Sequence, residues 1–345
     1  VTTISVTDTD TSSSALELSL SGTDQGFFVL DSSKRLSFSS APDYEDPRDS
    51  GNNNTYQITI RVSDGTNSDQ KSMTITVTNA VEGVVVDGPL ASSNLFIDID
   101  GDGIRDSNEP SGSTDSSGRF SIPYDLDACS SSICSGLTVV STGGEDISTG
   151  EDVDFTLLAS VVADQDMSVT PVSTVLSGMS STSMILNALG LSGETELSIL
   201  TKNPWVEAQQ GSADGEKLLQ VNQQIGVILE SANSMSSKSS FEVSEEIAGA
   251  IQEQTQVGSV SLTDETTVGT IFSNAMTELD EAGVSEEEIE AVSTSVAIVN
   301  DVVENNSPLS STVIDTLSDA QDSLQDKIDD LVDGSTTSAD FVASL

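Results

Sequence analysis

Asp98-Ile99-Asp100-Gly101-Asp102-Gly103-Ile104-Arg105-Asp106-Ser107-Asn108-Glu109 is the stretch from which the rest of the chain can be read. Counting from Asp98, carboxylates fall at positions 1, 3, 5, 9 and 12, and a glycine falls at position 6. A hard divalent cation takes about six to eight oxygens at roughly 2.3–2.6 Å, and a loop with this spacing wraps five carboxylates and one main-chain carbonyl around a single ion. Gly103 serves the sharp bend at position 6, where a Cβ would clash. Ile104, at position 7, is expected to offer its carbonyl and to tuck its side chain into the core. Glu109 is expected to close the site with both oxygens. Asp98, Asp100, Asp102, Ile104, Asp106 and Glu109 are therefore the candidate ligands for Ca2+. An acidic solvated loop is the alternative, and the agreement of every ligand position with the glycine weighs against it.

The flanks of this loop are strand-like. Phe96-Ile97 precedes it, and Pro110 with Ser-Gly-Ser follows it. The spacing thus predicts an EF-hand-type loop on a β-scaffold, one that staples the fold and opens no surface. Working outward, Val84-Val85-Val86, Leu95-Phe96-Ile97, Arg119 to Ile122 and Leu137 to Val140 are short β-prone runs punctuated by Gly and Asp. They predict a small β-sandwich over 83–165. Cys129 and Cys134 lie in Cys-Ser-Ser-Ser-Ile-Cys, which suits either a disulfide closing a small loop or two buried thiols.

Upstream, residues 1–82 alternate apolar and polar in short runs, the pattern of an antiparallel β-sandwich. Leu16, Leu18 and Leu20 form one stripe, Tyr56, Ile58, Ile60 and Val62 a second, and Met73, Ile75 and Val77 a third. Asp-Ser-Gly-Asn-Asn-Asn at 49–54 and Asp-Gly-Thr-Asn at 64–67 are turn signals. Downstream the period changes to 3.6. Leu218, Val221, Ile225 and Ile228 share a helical face, as do Ile289, Val292, Val296, Val299 and Val303, and again Val313, Leu317, Ala320, Leu324, Ile328 and Leu331. Ser285 with Glu288 makes a capping box, Ser307-Pro308 places a cap before a first-turn proline, and Gly334 stands at a helix end. The stripes predict core faces, opposite acidic faces, and a bundle of six or more helices over 166–345. The fold class expected is multidomain β + α: two β-sandwiches followed by an acidic helical domain.

Composition excludes several functions. Across 345 residues, 11 basic side chains stand against 57 acidic ones, a formal net charge of −46, and histidine is absent. Nucleic-acid binding is excluded, because phosphate recognition needs clustered Lys and Arg. Ser-His-Asp triads, imidazole bases and His-bearing zinc sites are excluded with the histidine. Gly-x-Ser-x-Gly is absent too. Aromatic residues make up 4% of the chain, too few for sugar-binding platforms. Trp205, in Asn-Pro-Trp, reads as an anchor at a helix start. An enzyme is not expected. No apolar run approaches the roughly 20 residues of a membrane span, and Val1-Thr2-Thr3-Ile4 has no leader character, so the chain reads as part of a longer polypeptide or as a mature form.

Phe96 to Phe120, with Asp-Gly-Asp-Gly-Ile-Arg-Asp-Ser-Asn-Glu-Pro and then Thr114-Asp115-Ser116-Ser117-Gly118-Arg119-Phe120, resembles the calcium-binding B-type repeats of bacterial serine-aspartate surface adhesins. The resemblance implies a prealbumin-like β-domain with calcium as structural cement and adds Asp115 as a further ligand; the match is shorter between Pro110 and Thr114. Residues 1–82 resemble a cadherin repeat. Asp8-Thr9-Asp10, Phe27-Phe28-Val29-Leu30-Asp31, Leu36-Ser37-Phe38, Pro42-Asp43-Tyr44-Glu45 and Val62-Ser63-Asp64-Gly65 carry that likeness. It implies calcium at two junctions, with Asp8, Asp10 and Asp64 at the amino-terminal pole and Asp43 and Glu45 at the other. The linker usual in that family, Asp-x-Asn-Asp-Asn, is replaced by Thr78-Asn79-Ala80-Val81-Glu82. Thr142 to Gly150 and Val169 to Thr174 are similar to a segment recurring in very large bacterial surface proteins.

These resemblances imply a segment of a secreted, extracellular bacterial surface protein, stiffened by calcium and doing mechanical or adhesive work. A self-assembling subunit of a filament, sheath or surface layer is the alternative, followed by a ligand-binding or enzymatic module in the helical part. The partners implied are neighbouring domains or identical subunits and cell-surface or matrix ligands, with no nucleic acid and no membrane insertion.

Overall fold

A computed structural model describes residues 2–126, 129, 131–179, 181–281, 283–306 and 311–343, the side chains of 311–319, 322, 342 and 343 lying outside that description. The cap at Ser307-Pro308 and the stripe positions Val313 and Leu317 are outside it as well. The structure is mixed β + α, with antiparallel sheets and helices in one chain. It forms two compact units, 1–80 with 123–125, and 81–122 with 126–345.

In the first unit, β1 (Thr2–Thr3), β3 (Phe28–Leu30) and β4 (Arg35–Phe38) make one antiparallel sheet in the order β1-β4-β3. The second sheet holds β2 (Glu17–Ser21), β5 (Thr55–Ser63) and β6 (Ser68–Thr76) in the order β2-β5-β6. The alternating stripes meet in register, Tyr56 opposite Ile75 and Ile58 opposite Met73. Both sheets feed one core of Phe28, Leu36, Tyr56, Ile58 and Ile60. Phe28, Phe38 and Tyr56 stack within it, Phe38 meeting Tyr56 edge-on at 5.1 Å.

The 49–54 turn is held by two buried carboxylates. Asp49 accepts the amides of Gly51, Asn53 and Asn54, while Asn52 and Asn54 take the left-handed conformation that asparagine tolerates. Asp24, 1% exposed, accepts the amides of Ser50 at 2.8 Å and Gln57 at 2.7 Å. Burial pushes its pKa up, but those amides and the Thr23 and Ser50 hydroxyls win and hold it below the ordinary value. Its contribution to stability is therefore present above the unfolded pKa and lost as pH falls through the lower folded one. Asp24→Ala leaves two partly buried amides without their acceptor and is expected to cost about 2–4 kcal/mol, read by urea unfolding of the first unit. A cost below about 1 kcal/mol would show that the turn does not depend on it.

In the second unit, β9 (Asn94–Asp98), β10 (Ser111–Ser113), β12 (Ile133–Thr142) and β14 (Thr156–Val162) form an antiparallel sheet in the order β10-β9-β12-β14. A second sheet, β11-β7-β15, joins β11 (Arg119–Pro123) and β15 (Met167–Val169) to β7 (Ala80–Val85). The β7–β15 pair is parallel, and Gly83 permits it: a Cβ there would sit 2.1 Å from the Met167 carbonyl oxygen. The short β8 (Leu90–Ala91) pairs with β13 (Glu145–Asp146).

The helices are α1 (Pro171–Leu176), α2 (Thr182–Ala188), α3 (Glu196–Thr201), α4 (Pro204–Gln209), α5 (Ala213–Met235), α6 (Ser240–Thr255), α7 (Glu265–Glu278), α8 (Glu286–Asn305), α9 (Ser311–Val332) and α10 (Ser338–Ala343). The unit runs through residue 165 without a break, because α1, α3 and α6 pack on the edge strand β14. That strand reads Thr-Leu-Leu-Ala-Ser-Val-Val, apolar on both faces. Its outward backbone groups are met by helix hydroxyls. The Leu158 amide donates to Thr174 Oγ1 at 2.9 Å, Ser173 Oγ donates to the Leu158 carbonyl at 2.7 Å, and Ser244 Oγ donates to the Thr156 carbonyl at 2.7 Å. An edge that would otherwise invite another strand is thereby closed.

The Ser285–Glu288 capping box forms, and Gly334 takes positive φ after α9. The expectation of one core face and one acidic face does not hold for α5. It packs against α1, α4, α6, α8 and α9, so Gln220, Asn222 and Gln224 are buried with the apolar stripe. Asn222 Oδ1 accepts the Val172 amide and Gln224 Nε2 donates to the Asn300 carbonyl, which satisfies these polar groups across helix boundaries. Trp205 is half-buried in the first turn of α4, behind the Asn203 cap. Among the described residues no helix is long and apolar enough to cross a membrane.

Candidate metal centre

The 98–109 loop leaves β9 and returns into β10, so both its ends are pinned to one sheet, where the Ile97 amide donates to the Pro110 carbonyl at 2.9 Å. Asp98 and Glu109, the first and last ligand positions, are 2% and 4% exposed. Asp98 accepts the amides of Gly101 at 2.6 Å and Gly103 at 2.9 Å. Glu109 accepts Ile99 at 2.8 Å through one oxygen and Asp106 at 2.9 Å through the other. The two end carboxylates thus gather the loop backbone around themselves. Asp98, Asp100 and Asp102 each bring a carboxylate oxygen within 4.8 Å of the others. Burial pushes the Asp100 pKa up, and the charge of Asp102 adds to this. The Asp102 amide opposes, while Glu109 and Asp106 push further upward. An all-oxygen, carboxylate-rich pocket under mutual repulsion suits a hard cation.

Contrary to the expectation from the sequence, the Ile104 side chain does not tuck into the core but is 67% exposed, because the turn in which its amide donates to Asp102 Oδ1 at 2.8 Å lies at the surface. Asp115 lies apart from the Asp98 group. It accepts the Ser117 hydroxyl at 2.7 Å and the amides of Ser117 and Arg119, bonds that hold it below the ordinary carboxylate value, and so serves its own turn.

In the first unit, Asp8, Asp10 and Asp64 form the second three-carboxylate group among the described residues, again with oxygens within 4.8 Å. Asp8 accepts the Asp10 and Thr11 amides, and Asp64 accepts Asn67 at 2.5 Å and Thr66 at 2.7 Å. The Asp10 amide first, then its carboxyl, holds Asp8 low; hydrogen bonding to Asp8 and the Asp8 charge hold Asp10 high. Asp43 and Glu45 are exposed and belong to neither group, Asp43 accepting the Glu45 and Asp46 amides. Cys129 and Cys134 are joined as a disulfide, with Cα atoms 5.2 Å apart.

Two features escaped the sequence reading. The first is α6, which packs on the cation loop. The Phe241 ring stands where a Cβ on Gly103 would be, 2.2 Å from its Cε1, and Glu245 lies close enough to Asp98 to feel its charge. A capping box at Ser239–Glu242 announces this helix in the sequence but says nothing of where it docks. The second is Asp87, whose Oδ1 is shut off from solvent without a hydrogen-bond partner. Burial pushes its pKa far up, and Asp146 and Glu230 add to that. Two glycines make the room: a Cβ on Gly226 would lie 2.7 Å from Asp87 Oδ1, and one on Gly88 would lie 2.0 Å from Asp146 Oδ1.

Compared with protein-family models, curated proteins and solved structures, the chain gives no match.

Proposed function

We propose that this chain is a segment of an extracellular bacterial surface protein that does mechanical or adhesive work, with calcium as its cement. In this reading the first unit is a cadherin-like β-sandwich. The second joins a B-repeat-like β-sandwich to an acidic helical bundle. The observation that carries the reading is the convergence of Asp98, Asp100 and Asp102 with Glu109 turned in behind them, on a loop pinned at both ends to one sheet. A cation there ties β9 to β10 and relieves repulsion in a chain of net charge −46. Binding energy of that kind is folding energy. Force spectroscopy on the whole chain tests the mechanical role. The second unit is expected to yield at clearly lower force in EGTA than in 1 mM Ca2+ (roughly 100-fold above a sensor-range Kd), and equal forces would overturn the reading.

A second reading, self-assembly into a filament, sheath or surface layer, is supported by the Asp8, Asp10 and Asp64 group in the first unit, of which Asp8 and Asp10 are exposed and Asp64 half-buried. An ion held there keeps coordination positions for oxygens of another copy. Electron microscopy of the purified chain with calcium separates the two, ordered polymers favouring the second.

A further inference from the structure

We propose that helix α6 is a working wall of the cation loop, with Phe241 as a positioning residue and Glu245 as a further carboxylate in the ion's field, so that loading the loop and seating the helix are one coupled event. The proposal rests on the reading of 98–109 as a calcium loop. It begins with packing. Gly103 holds φ +69°, and the space beside its Cα is filled by the Phe241 ring. Gly101, two residues earlier and also at positive φ, has nothing within 4 Å of the same position. The contact is therefore specific to the bend from which the ligand positions fan out.

The ring also packs on Phe96, Val140 and Leu158, and Phe96 lies on β9 just ahead of Asp98. Lifting α6 would uncover that cluster and release the bend together. Ser240 and Ser244 hydrogen bond to Thr156 on β14, holding the first turns of the helix to the same sheet that carries the loop.

Charge makes the contact conditional. Glu245, one turn on from Phe241 and so on the same helix face, comes near enough to Asp98 to feel its charge, and partial burial, then the charges of Glu246, Asp98 and Glu242, push its carboxyl upward. Without a cation Glu245 and Asp98 repel across the contact. With one, both sides are drawn to the same charge. By linkage, whatever the seated helix adds to cation affinity, the cation adds to seating of the helix.

Calcium calorimetry and amide hydrogen exchange on the full chain test this. Calcium is expected to slow exchange in α6 more than in α8. Phe241→Ala is expected to weaken calcium binding about 5- to 50-fold, a range within known coupling strengths. Glu245→Gln, a surface change that leaves packing alone, is expected to weaken calcium binding several-fold while slowing α6 exchange in EGTA. Those opposite signs are not produced by a merely structural role. If calcium binds, with D100N/D102N abolishing it, yet Glu245→Gln leaves affinity unchanged and α6 exchanges alike with and without the ion, the coupling is wrong and the calcium loop stands. If the wild-type chain takes up no calcium, the calcium reading itself falls and the coupling with it.

Discussion

Excess EGTA is expected to lower the melting temperature of the second unit by about 5–10 °C relative to 1 mM calcium, and the D100N/D102N double variant is expected to abolish that difference. The size follows from linkage. An ion present at roughly 100 times its dissociation constant stabilises the folded state by about 2.7 kcal/mol, and about 2–4 °C of melting temperature accompanies each kcal/mol in a domain of 150–250 residues. The double variant carries a second sign. By removing two of the three charges whose oxygens lie within 4.8 Å of one another, it relieves repulsion. It is therefore expected to melt higher than the wild type when both are in EGTA, and lower when both are in calcium. Calorimetry reads both. Coincident wild-type melts in calcium and EGTA would remove the cement role.

Asp87→Asn is expected to raise stability at neutral pH by about 1–3 kcal/mol, the scale of a buried polar group left without a partner. Asp87 Oδ1 has no hydrogen-bond partner and faces the charges of Asp146 and Glu230. Its folded pKa is raised, so the stability it contributes is fully present below the unfolded pKa and is lost as pH rises through the folded value. Asparagine keeps the shape and removes the charge. The gap between variant and wild type should therefore widen from pH 5 to pH 8 in melts recorded in EGTA. A gap that is absent, reversed or constant with pH would show that burying the Asp87 carboxyl carries no charge-linked cost. Gly226 fits this picture, since a mid-helix glycine costs about 1 kcal/mol relative to alanine and here makes room for the Asp87 carboxylate.

Much of the local structure was legible in the sequence because it is set by short-range rules. Period-two alternation placed Tyr56, Ile58 and Ile60 on one buried face, opposite Met73 and Ile75. The Ser285–Glu288 box marked a helix start because both partners lie within one turn. The ligand positions of the 98–109 loop were legible for the same reason, since coordination spacing along a loop is itself a local code. Ile104 was misjudged because the ligand register fixes where a carbonyl falls but not which side chain a distant part of the fold will cover, and here none covers it. The parallel β7–β15 pair was not legible, because a pairing across some 80 residues leaves no periodic trace in either strand. The buried polar residues of α5 were hidden likewise, their partners coming from α1 and α8.

Sequence alone determined where the chain would alternate, where it would coil, and which carboxylates would stand at cation-binding intervals, for these depend on neighbours a few residues apart. Tertiary structure alone decided what leans on what. Gly103 was readable as a bend; that it is also the floor under Phe241 depends on a helix more than 130 residues further on. Asp87 was one acid among 57, and it is the packing of the finished fold, with Gly226 of α5 set against it, that shuts its Oδ1 off from solvent. The reason is physical: backbone geometry is local, whereas desolvation and packing belong to whichever surfaces the completed fold brings together.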